Sequence, residues 1–214
     1  MSATDAADPT DAAAPRIGEP EPLVAVGELV DATYRLNLAV ATSDLDAAVL
    51  REARARLDEV SSLLEQRTRP RARRAPFDAP GRARATGTPY RLCALTPWGV
   101  PIEVTIGPDD TLSARLEANA LHEGPPECVH GGVAGYLMDC LLGVLIQASG
   151  RRAVTARLEL DYLAPTPLDR PLDLSARVTA QRGRKIHAEG RIEYDGAPTV
   201  RAHGLFVEID RSPR

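Results

Sequence analysis

The sequence predicts an α+β fold, in which a curved antiparallel sheet wraps around one long central helix and a helical extension precedes both. The segment from His130 to Gln147 is almost wholly apolar and free of proline, which is typical of a helix buried in the middle of a domain. From Tyr90 onward, the apolar residues on either side of that segment alternate with polar ones, which is the period of a strand. Because this helix is apolar enough to cover the buried face of a sheet, the sheet should wrap around it.

Strands are predicted on both sides of the helix. Two or three precede it, including one at 102–106 and one that starts at Leu112, and four follow it, at about 154–165, 172–178, 186–194 and 200–209. Since short turns join the last four, we expect them to form an antiparallel meander. In the final strand the apolar positions change parity after Ala202, so we predict a β-bulge at Gly204.

Four regions follow one another along the 214 residues. Residues 1–20 have almost no bulky apolar side chain and are predicted to be a disordered tail. Residues 21–67 contain two amphipathic segments, which suggest a helical hairpin that lies on the main domain or on a partner subunit. Residues 68–89 are predicted to be an arginine-rich, solvated linker, with a phosphate-binding arm as the alternative, and residues 90–210 form the main domain.

The composition argues against several classes of protein. A net charge of −4 provides no basic field for a nucleic acid. The amino-terminal stretch lacks the basic and apolar parts of a secretion signal, and neither end carries an apolar stretch long enough for a membrane helix, so we expect a cytoplasmic protein with no membrane partner. The three cysteines form no CxxC pair and the four histidines are scattered, so we expect free thiols, no metal site and no cofactor.

Asp139 is the one carboxylate in the apolar segment. No cation lies three or four residues away along the helix, so this side chain should be satisfied by a hydroxyl group from another element, shift its pKa upward, or be functional. It shares a stripe with Gly132, Gly135, Gly143 and Gln147, at helical spacings of three and four. Interior glycines cost about 1 kcal/mol each relative to alanine, so the stripe indicates either a ligand against the backbone or close packing on a strand.

His130, Gly131 and Gly132 stand where the central helix should begin. The first turn of a helix exposes unpaired N–H groups at the positive end of the helix dipole, which can hold negative charge that develops on a carbonyl oxygen. The N–H of Gly131 and the carboxylate of Asp139 would then face one reacting carbonyl from either side, an arrangement suited to acyl transfer or hydrolysis. A nucleophilic Cys128 beside His130 is a weaker alternative, because residues so placed in a turn often point apart.

Several short motifs in residues 90–210 together resemble those of the hotdog-fold thioesterases. They are Gly124-Pro125-Pro126, His130-Gly131-Gly132, Asp139 nine residues after the histidine, Thr155, and Gly183-Arg184-Lys185. The pattern is most similar to the PaaI type and to eukaryotic thioesterase-superfamily members with a GPP-x-x-x-HGG signature. Some PaaI-type enzymes have an asparagine where Gly124 stands, so the task of that asparagine would fall to another group in this chain.

The resemblance implies hydrolysis of an acyl-coenzyme A by a homodimer or tetramer, at an active site in the dimer interface. Asp139 would act as general base or as nucleophile, and the Gly131 N–H would polarise the thioester carbonyl. Thr155 would approach the carboxylate from the other subunit, although the alternation of its strand places it on the face away from the helix of its own subunit. The other implied roles are orientation of the loop or the carbonyl by His130, substrate binding by Gly132 and Gly135, and contacts of Arg184 and Lys185 with the coenzyme's phosphates.

A non-catalytic module of the same fold is the second interpretation. Such a module would bind acyl-coenzyme A or serve a protein partner without turnover, and the helical extension would suit that role. Asp139 argues against it, because a protein that only binds gains nothing from a costly buried acid.

Overall fold

Four α-helices, one short 3-10 helix (Ala120–His122) and seven strands lie in the part of the chain that this computed structural model describes, residues 21–209. The helices are α1 (Glu21–Thr42), α2 (Ala47–Glu65), α3 (Ala79–Thr86) and α4 (Gly131–Ala148). The strands are β1 (Tyr90–Leu92), β2 (Ile102–Ile106), β3 (Thr111–Glu117), β4 (Ala153–Tyr162), β5 (Pro171–Arg182), β6 (Lys185–Tyr194) and β7 (Ala197–Glu208). The predicted disordered tail, residues 1–20, lies outside the described residues.

The seven strands form one antiparallel sheet in the order β1-β2-β3-β5-β6-β7-β4. The sheet packs on α4, whose side chains Leu137, Met138, Leu141, Leu142 and Leu145 are at most 1% exposed. Alternate residues of the strands are buried in the core, as at Ile102, Val104 and Ile106. The predicted α+β fold, with an antiparallel sheet on one central helix, is confirmed.

The order of the last four strands differs from the predicted meander. The strands β5, β6 and β7 do follow one another, but β4 lies at the far side of β7 instead of beside β5. The physical reason is that β3 already pairs with the free side of β5, so the chain crosses the sheet between β4 and β5. As a result β4 is an edge strand that lies along α4.

The predicted bulge at Gly204 is also wrong. Strand β7 keeps its phase through Val200, Ala202, Gly204 and Phe206, which all face the core. A methyl group at Gly204 would lie 2.9 Å from Leu142 and 2.6 Å from Phe206, so this position lacks a side chain because the central helix packs against it. The register shifts lie elsewhere, between Thr155 and Arg157 of β4 and between Ile192 and Glu193 of β6.

The first N-terminal helix is fixed to the main domain by polar contacts. Tyr34 lies 3.2 Å from Nε2 of the buried His122, and the Asn119 side chain donates to the Tyr34 hydroxyl at 3.2 Å. Asp31 forms an ion pair with Arg91, in which one guanidinium nitrogen lies 2.8 Å from the carboxylate. These contacts hold α1 against the turn that precedes α4.

The second N-terminal helix does not fold back on the first as the predicted hairpin. None of its residues is buried, and it has no packed interface with α1 or with the sheet. Large apolar side chains stay exposed along it, at Val49, Leu50, Val60, Leu63 and Leu64. The apolar stripe that predicted a packed helix is present, but no surface within residues 21–209 covers it.

Part of the segment expected to be a linker is helical. Helix α3 has proline in its first turn and ends at Gly87, whose φ of 66° is the left-handed conformation typical of a helix end. Arg84 on this helix donates to Asp110 at 2.7 Å and to Ser149 at 3.0 Å, and so ties α3 to the β2–β3 turn and to the end of α4. The remaining residues before α3 carry the arginines Arg67 to Arg74.

Candidate active site

Helix α4 begins with a histidine cap. Nδ1 of His130 accepts a hydrogen bond from the Gly132 N–H at 2.9 Å, so the ring proton resides on Nε2. Gly124 packs on the same residue, since a methyl group there would lie 2.7 Å from the His130 Cα atom. His130 therefore orients the loop, as one of its two expected roles requires, and the N–H of Gly132 is used for the cap.

Gly131 presents the unpaired donor of this turn. Its N–H has no hydrogen-bond acceptor within residues 21–209, as the first residue of a helix requires. Its carbonyl oxygen accepts from the hydroxyl of Tyr162 at 2.8 Å, and the Tyr162 ring lies over the glycine. The donor expected at the start of the helix is thus present and free to polarise a carbonyl.

Asp139 is bonded to Thr155 of its own chain. The Thr155 hydroxyl donates to Asp139 Oδ1 at 2.8 Å, and the second carboxylate oxygen has no hydrogen-bond partner among the described residues. The expectation that Asp139 receives its threonine from the other subunit is therefore corrected. Asp139 is half-buried, because the outer side of β4 is open, and Thr155 belongs to the same subunit.

A β-bulge brings Thr155 to the helix. The shift between Thr155 and Arg157 leaves Ala156 without a partner on β7, so Thr155 faces α4 together with Leu158 and Leu160 farther along the strand. Strict alternation would have pointed Thr155 away from the helix. The bulge thus removes the conflict between the motif and the strand period.

The glycines beside Asp139 serve two purposes. A methyl group at Gly135 would lie 3.0 Å from Leu160, and one at Gly131 would lie 3.2 Å from the Tyr162 oxygen, so both let the helix approach β4. At Gly143, one turn beyond Asp139, an added methyl group would meet no atom within 4 Å, so this glycine borders open space. Close packing therefore explains Gly135, whereas Gly143 leaves room beside the carboxylate.

The two expected catalytic groups are too far apart in one chain to act on the same carbonyl. Gly131 and Asp139 are separated by two turns of α4, a rise of about 12 Å along the helix axis. Each group would need to lie about 3 Å from the reacting carbonyl. The pair can therefore meet only if Asp139 of one chain faces Gly131 of another.

Arg184 and Lys185 lie at the β5–β6 hairpin, and neither forms a hydrogen bond or an ion pair with Asp139. The Arg184 guanidinium donates through Nε and Nη2 to the carbonyl oxygen of Glu208, at 2.9 and 2.7 Å. Lys185 is exposed and pairs across the turn with Arg182. Gln147, the last member of the predicted stripe, holds the chain at Phe77 by donating to its carbonyl oxygen at 2.8 Å.

A thiol cluster that the sequence patterns did not indicate lies one residue from Asp139. Tyr136 and Cys140 of α4 meet Cys93, whose Sγ is 3.0 Å from the Tyr136 hydroxyl. The hydrogen bond from Cys140 lowers the pKa of Cys93 to about 7, against the opposing effect of burial. Cys128, in contrast, has no hydrogen bond to the His130 ring, whose Nδ1 already caps the helix, so the Cys128–His130 alternative has no geometric support.

Tyr162 is a further residue that the sequence analysis did not select, although the alternation of β4 indicated its position. It continues the inward-facing series of Leu158 and Leu160 on β4, and a tyrosine that ends such a series can reach the start of the helix. Within residues 21–209, no three His, Cys, Asp or Glu side chains are gathered where they could hold a metal ion.

Comparison with known proteins finds similarity in both sequence and fold. Residues 127–199 match the family model described as the thioesterase superfamily. A crystal structure of protein RHA08564, described as a thioesterase superfamily protein, superposes with a TM-score of 0.73 at 29% identity, covering 90% of this chain and 93% of that one.

Two curated proteins are similar over shorter stretches. The acyl-coenzyme A thioesterase THEM4 of Rattus norvegicus is 30% identical over 98 residues, which are 44% of this chain and 42% of that protein. The MIOREX complex component 3 of Saccharomyces cerevisiae is 38% identical over 68 residues, which are 30% of this chain and 25% of that protein. The chain thus spans less than half the length of these relatives.

The matched segment holds the residues described above, from Cys128 through the start of α4 and Asp139 to Thr155 and Tyr162. The family model supports the resemblance inferred from the sequence over residues 127–199, while the narrower PaaI-type assignment stays a prediction. This chain therefore has the hotdog fold, and its residues 127–199 carry the sequence pattern of the thioesterase superfamily.

Proposed function

We propose that this protein is an acyl-coenzyme A thioesterase of the PaaI type, which hydrolyses an acyl-coenzyme A to the free acid and coenzyme A. One observation carries the proposal: Asp139 is held by a hydroxyl donor on one oxygen, has its other oxygen free, and lies beside open space at Gly143. The similarity of the chain to an acyl-coenzyme A thioesterase over 98 residues supports acyl-coenzyme A as the substrate class.

In this mechanism Asp139 acts on water or on the thioester itself. As a base, its free oxygen takes a proton from water while the water oxygen attacks the thioester carbonyl, the carbon–sulfur bond breaks, and the coenzyme leaves as a thiolate that takes up the proton. As a nucleophile, the same oxygen attacks the carbonyl, the carbon–sulfur bond breaks, and the coenzyme leaves as a thiolate. Water then cleaves the resulting anhydride to the free acid and the Asp139 carboxylate, and the proton that this releases goes to the thiolate. Thr155 fixes the rotamer of the carboxylate in both routes.

The Gly131 N–H is the proposed donor to the carbonyl oxygen. Its position at the positive end of α4 favours the charge that develops on this oxygen in the transition state. Since Gly131 and Asp139 of one chain lie about 12 Å apart along the helix, we propose that each active site joins Asp139 of one subunit with Gly131 of a second.

The proposed homo-oligomer, a dimer or tetramer, has further support in the uncovered surfaces. The outer side of β4 has no partner strand within residues 21–209, although Asp139 and Thr155 lie next to it. An open strand edge is a ready surface for another chain. The exposed apolar side chains of α2 also favour burial against a second copy, because an amphipathic helix of this length gains most of its stability from packing.

Hydrolysis of short, long and aromatic acyl-coenzyme A thioesters, followed by thiol release, tests the proposal. The wild-type protein should release thiol from at least one of them, and Asp139→Asn should lower kcat by at least about 100-fold, the typical contribution of a general base. Asp161→Asn, a substitution of an exposed carboxylate on β4, is the matched control and should retain wild-type activity.

The same experiment separates the two interpretations of the fold. Binding of acyl-coenzyme A without thiol release above background would contradict the proposed enzyme and would favour a non-catalytic binding module. Incorporation of oxygen-18 from labelled water into the protein during a single turnover would identify Asp139 as the nucleophile. We also propose a cytoplasmic location, which the free thiols of Cys93, Cys128 and Cys140 support.

A further inference from the structure

Two neighbouring cavities at the carboxyl end of α4 are rich in arginine. One has a volume of about 500 Å³ and the other of about 430 Å³, and Phe77 and Arg152 line both. The arginine cleft, as we name it, consists of Phe77 with Arg73, Arg74, Arg151, Arg152 and Arg184. These residues come from three separate parts of the chain: the segment before α3, the start of β4, and the β5–β6 hairpin.

Two of the guanidinium groups are held in place by the protein. Arg152 lies 3.8 Å above the centre of the Phe77 ring, and Gln147 in turn holds the Phe77 carbonyl oxygen. Arg184 is fixed by its two hydrogen bonds to the Glu208 carbonyl oxygen, which leave Nη1 unused. Groups that are ordered before binding lose less entropy when a ligand arrives.

The positive charge of the cleft is only partly neutralised. Arg151 lies 4.0 Å from Asp110, a carboxylate it shares with Arg84, and its Nη1 is buried with no acceptor within residues 21–209. None of the other four arginines of the cleft has a carboxylate within 4.0 Å in the described chain. Glu208 lines one of the cavities, so the cleft holds five cations against that one carboxylate and a share of Asp110.

Such a site suits phosphate groups. Guanidinium groups bind phosphate oxygens through paired hydrogen bonds, and several arginines around one cavity can hold more than one phosphate. The chain as a whole carries a net charge of −4, so the cleft is a local feature and not part of a general basic surface.

The position of the cleft relative to Asp139 indicates which phosphates these are. Arg152 precedes Thr155 on the β4 side by three residues, a distance of about 10 Å along the chain. The stripe of α4 that faces β4 runs from Gly131 through Gly135 and Asp139 toward Gly143, where the space beside the helix is open. A long pantetheine arm separates the thioester of an acyl-coenzyme A from its phosphates, so a substrate whose thioester lies at Asp139 needs its phosphates held at a separate place.

We propose that the arginine cleft binds the phosphate groups at the nucleotide end of coenzyme A, with Arg73 and Arg74 supplied by the segment before the main domain. The proposal rests on the proposed function and extends the expected contribution of Arg184 to a complete site. Arg73, Arg74 and Phe77 lie outside residues 127–199, so the site uses residues that the superfamily match does not include.

Kinetics with two matched substrates test this site. An acyl-coenzyme A and the acyl-pantetheine with the same acyl group share the thioester and differ in the nucleotide end. For Arg73→Ala/Arg74→Ala and for Arg152→Ala, the ratio of kcat/KM for the first substrate to that for the second should fall about tenfold or more relative to wild type. Arg201→Ala, an exposed arginine on β7, is the control and should keep the wild-type ratio.

Binding of adenosine 3′,5′-bisphosphate, measured by calorimetry, tests the cleft without turnover. The bisphosphate should bind the wild-type protein, compete with coenzyme A, and bind the double arginine variant about tenfold more weakly. If the protein showed this binding pattern but hydrolysed no thioester, the proposed function would be contradicted and the phosphate site would be supported. If both arginine variants kept the wild-type ratio of kcat/KM values and the wild-type affinity for the bisphosphate, the cleft would not be the phosphate site. Binding of the bisphosphate without competition with coenzyme A would contradict the proposal as well.

Discussion

Asp139 depends on a single neighbour for its orientation. The Thr155 hydroxyl is its one hydrogen-bond donor within residues 21–209, and the pair lies on an open side of the chain where water competes with that bond. A carboxylate that serves as base or nucleophile must keep one oxygen aimed at the substrate, so we assign Thr155 a positioning role.

Thr155→Val should therefore lower kcat about tenfold, the effect of losing roughly 1.4 kcal/mol from a hydrogen bond to a charged group, and change KM much less. Thr155→Ser keeps the hydroxyl and should restore most of the rate. Steady-state kinetics of both variants decide the point. Equal rates for the valine and serine variants would show that the hydroxyl does not position the carboxylate.

At this scale the sequence predicted the right residues more readily than their arrangement. The pattern around His130 and Asp139 was sufficient to select the start of α4 and its carboxylate. The orientation of Thr155 could not be predicted, because one unpaired residue at Ala156 reverses the direction of every preceding side chain on β4. The cluster of Cys93, Tyr136 and Cys140 was equally out of reach, since it joins residues distant in the sequence.

At the scale of the elements, the contact between α4 and the sheet governs stability. Glycines on two strands, Gly190 and Gly204, accept the side chains of Met138 and Leu142 from the helix. A methyl group added at Gly143, on the helix itself, would meet no atom within 4 Å. The three positions therefore distinguish glycines required for packing from one that is not.

Gly204→Ala should destabilise the protein by about 1–3 kcal/mol, because the added methyl group overlaps Leu142 and Phe206 in a closely packed core. Gly143→Ala is the matched control, and it should stabilise the fold by up to about 1 kcal/mol through its higher helix propensity. Denaturant unfolding of both variants provides the comparison. If the two substitutions changed the free energy of unfolding in the same direction, the assigned packing would be wrong.

The attachment of α1 should depend on pH through His122. Burial lowers the pKa of this histidine from its usual 6.5, and its Nδ1 accepts the Asn119 N–H at 2.9 Å. The folded state thus favours the neutral ring, so its contribution to stability is present above pH 6.5 and is lost as the pH falls below that value.

We accordingly expect the wild-type free energy of unfolding to decrease between about pH 7.5 and about pH 5.5, on either side of the usual histidine pKa. His122→Gln, which cannot take up the proton, should be less stable at the higher pH but lose less on acidification. Unfolding curves at both pH values make the comparison. An equal loss in the two proteins would assign the acid sensitivity to other groups.

The positions of the helices and strands could be predicted from sequence patterns. The bulge and the strand order could not, because they depend on contacts between distant parts of the chain. The apolar run predicted α4, and the period of two predicted the strands. The parity change after Ala202 was a misleading signal, since the apolar residues Leu205 and Val207 lie on the outer face of β7, where both are half-buried. Nothing local in the sequence indicated that β4 would lie beside β7 at the edge of the sheet.

At the scale of the whole molecule, the proposed active site is incomplete in a single chain. Asp139 and Thr155 lie near the open edge of β4, the Gly131 donor lies two turns away on the same helix, and α2 keeps an uncovered apolar stripe. Isologous pairing of two copies would generate two equivalent sites, each with an acid from one chain and a donor from the other.

Two variants each remove one of the two proposed catalytic groups. Asp139→Asn removes the acid, and Gly131→Pro removes the N–H at the first position of α4, where proline is well accommodated. His130 has φ −61° and ψ 132°, a conformation compatible with a following proline. Gly131→Ala retains the N–H while adding a side chain toward Tyr162, so it is the control for crowding.

The most direct test of the shared site is hydrolysis by a mixture of the two inactive variants after they are unfolded and refolded together. Random pairing should restore about a quarter of the wild-type activity, because half of the dimers would be mixed and each mixed dimer would contain one intact site. Neither variant refolded alone should recover. Activity in the mixture that stays at the level of the separate variants, while mixed dimers are shown to form, would contradict a site built from Asp139 of one chain and Gly131 of another.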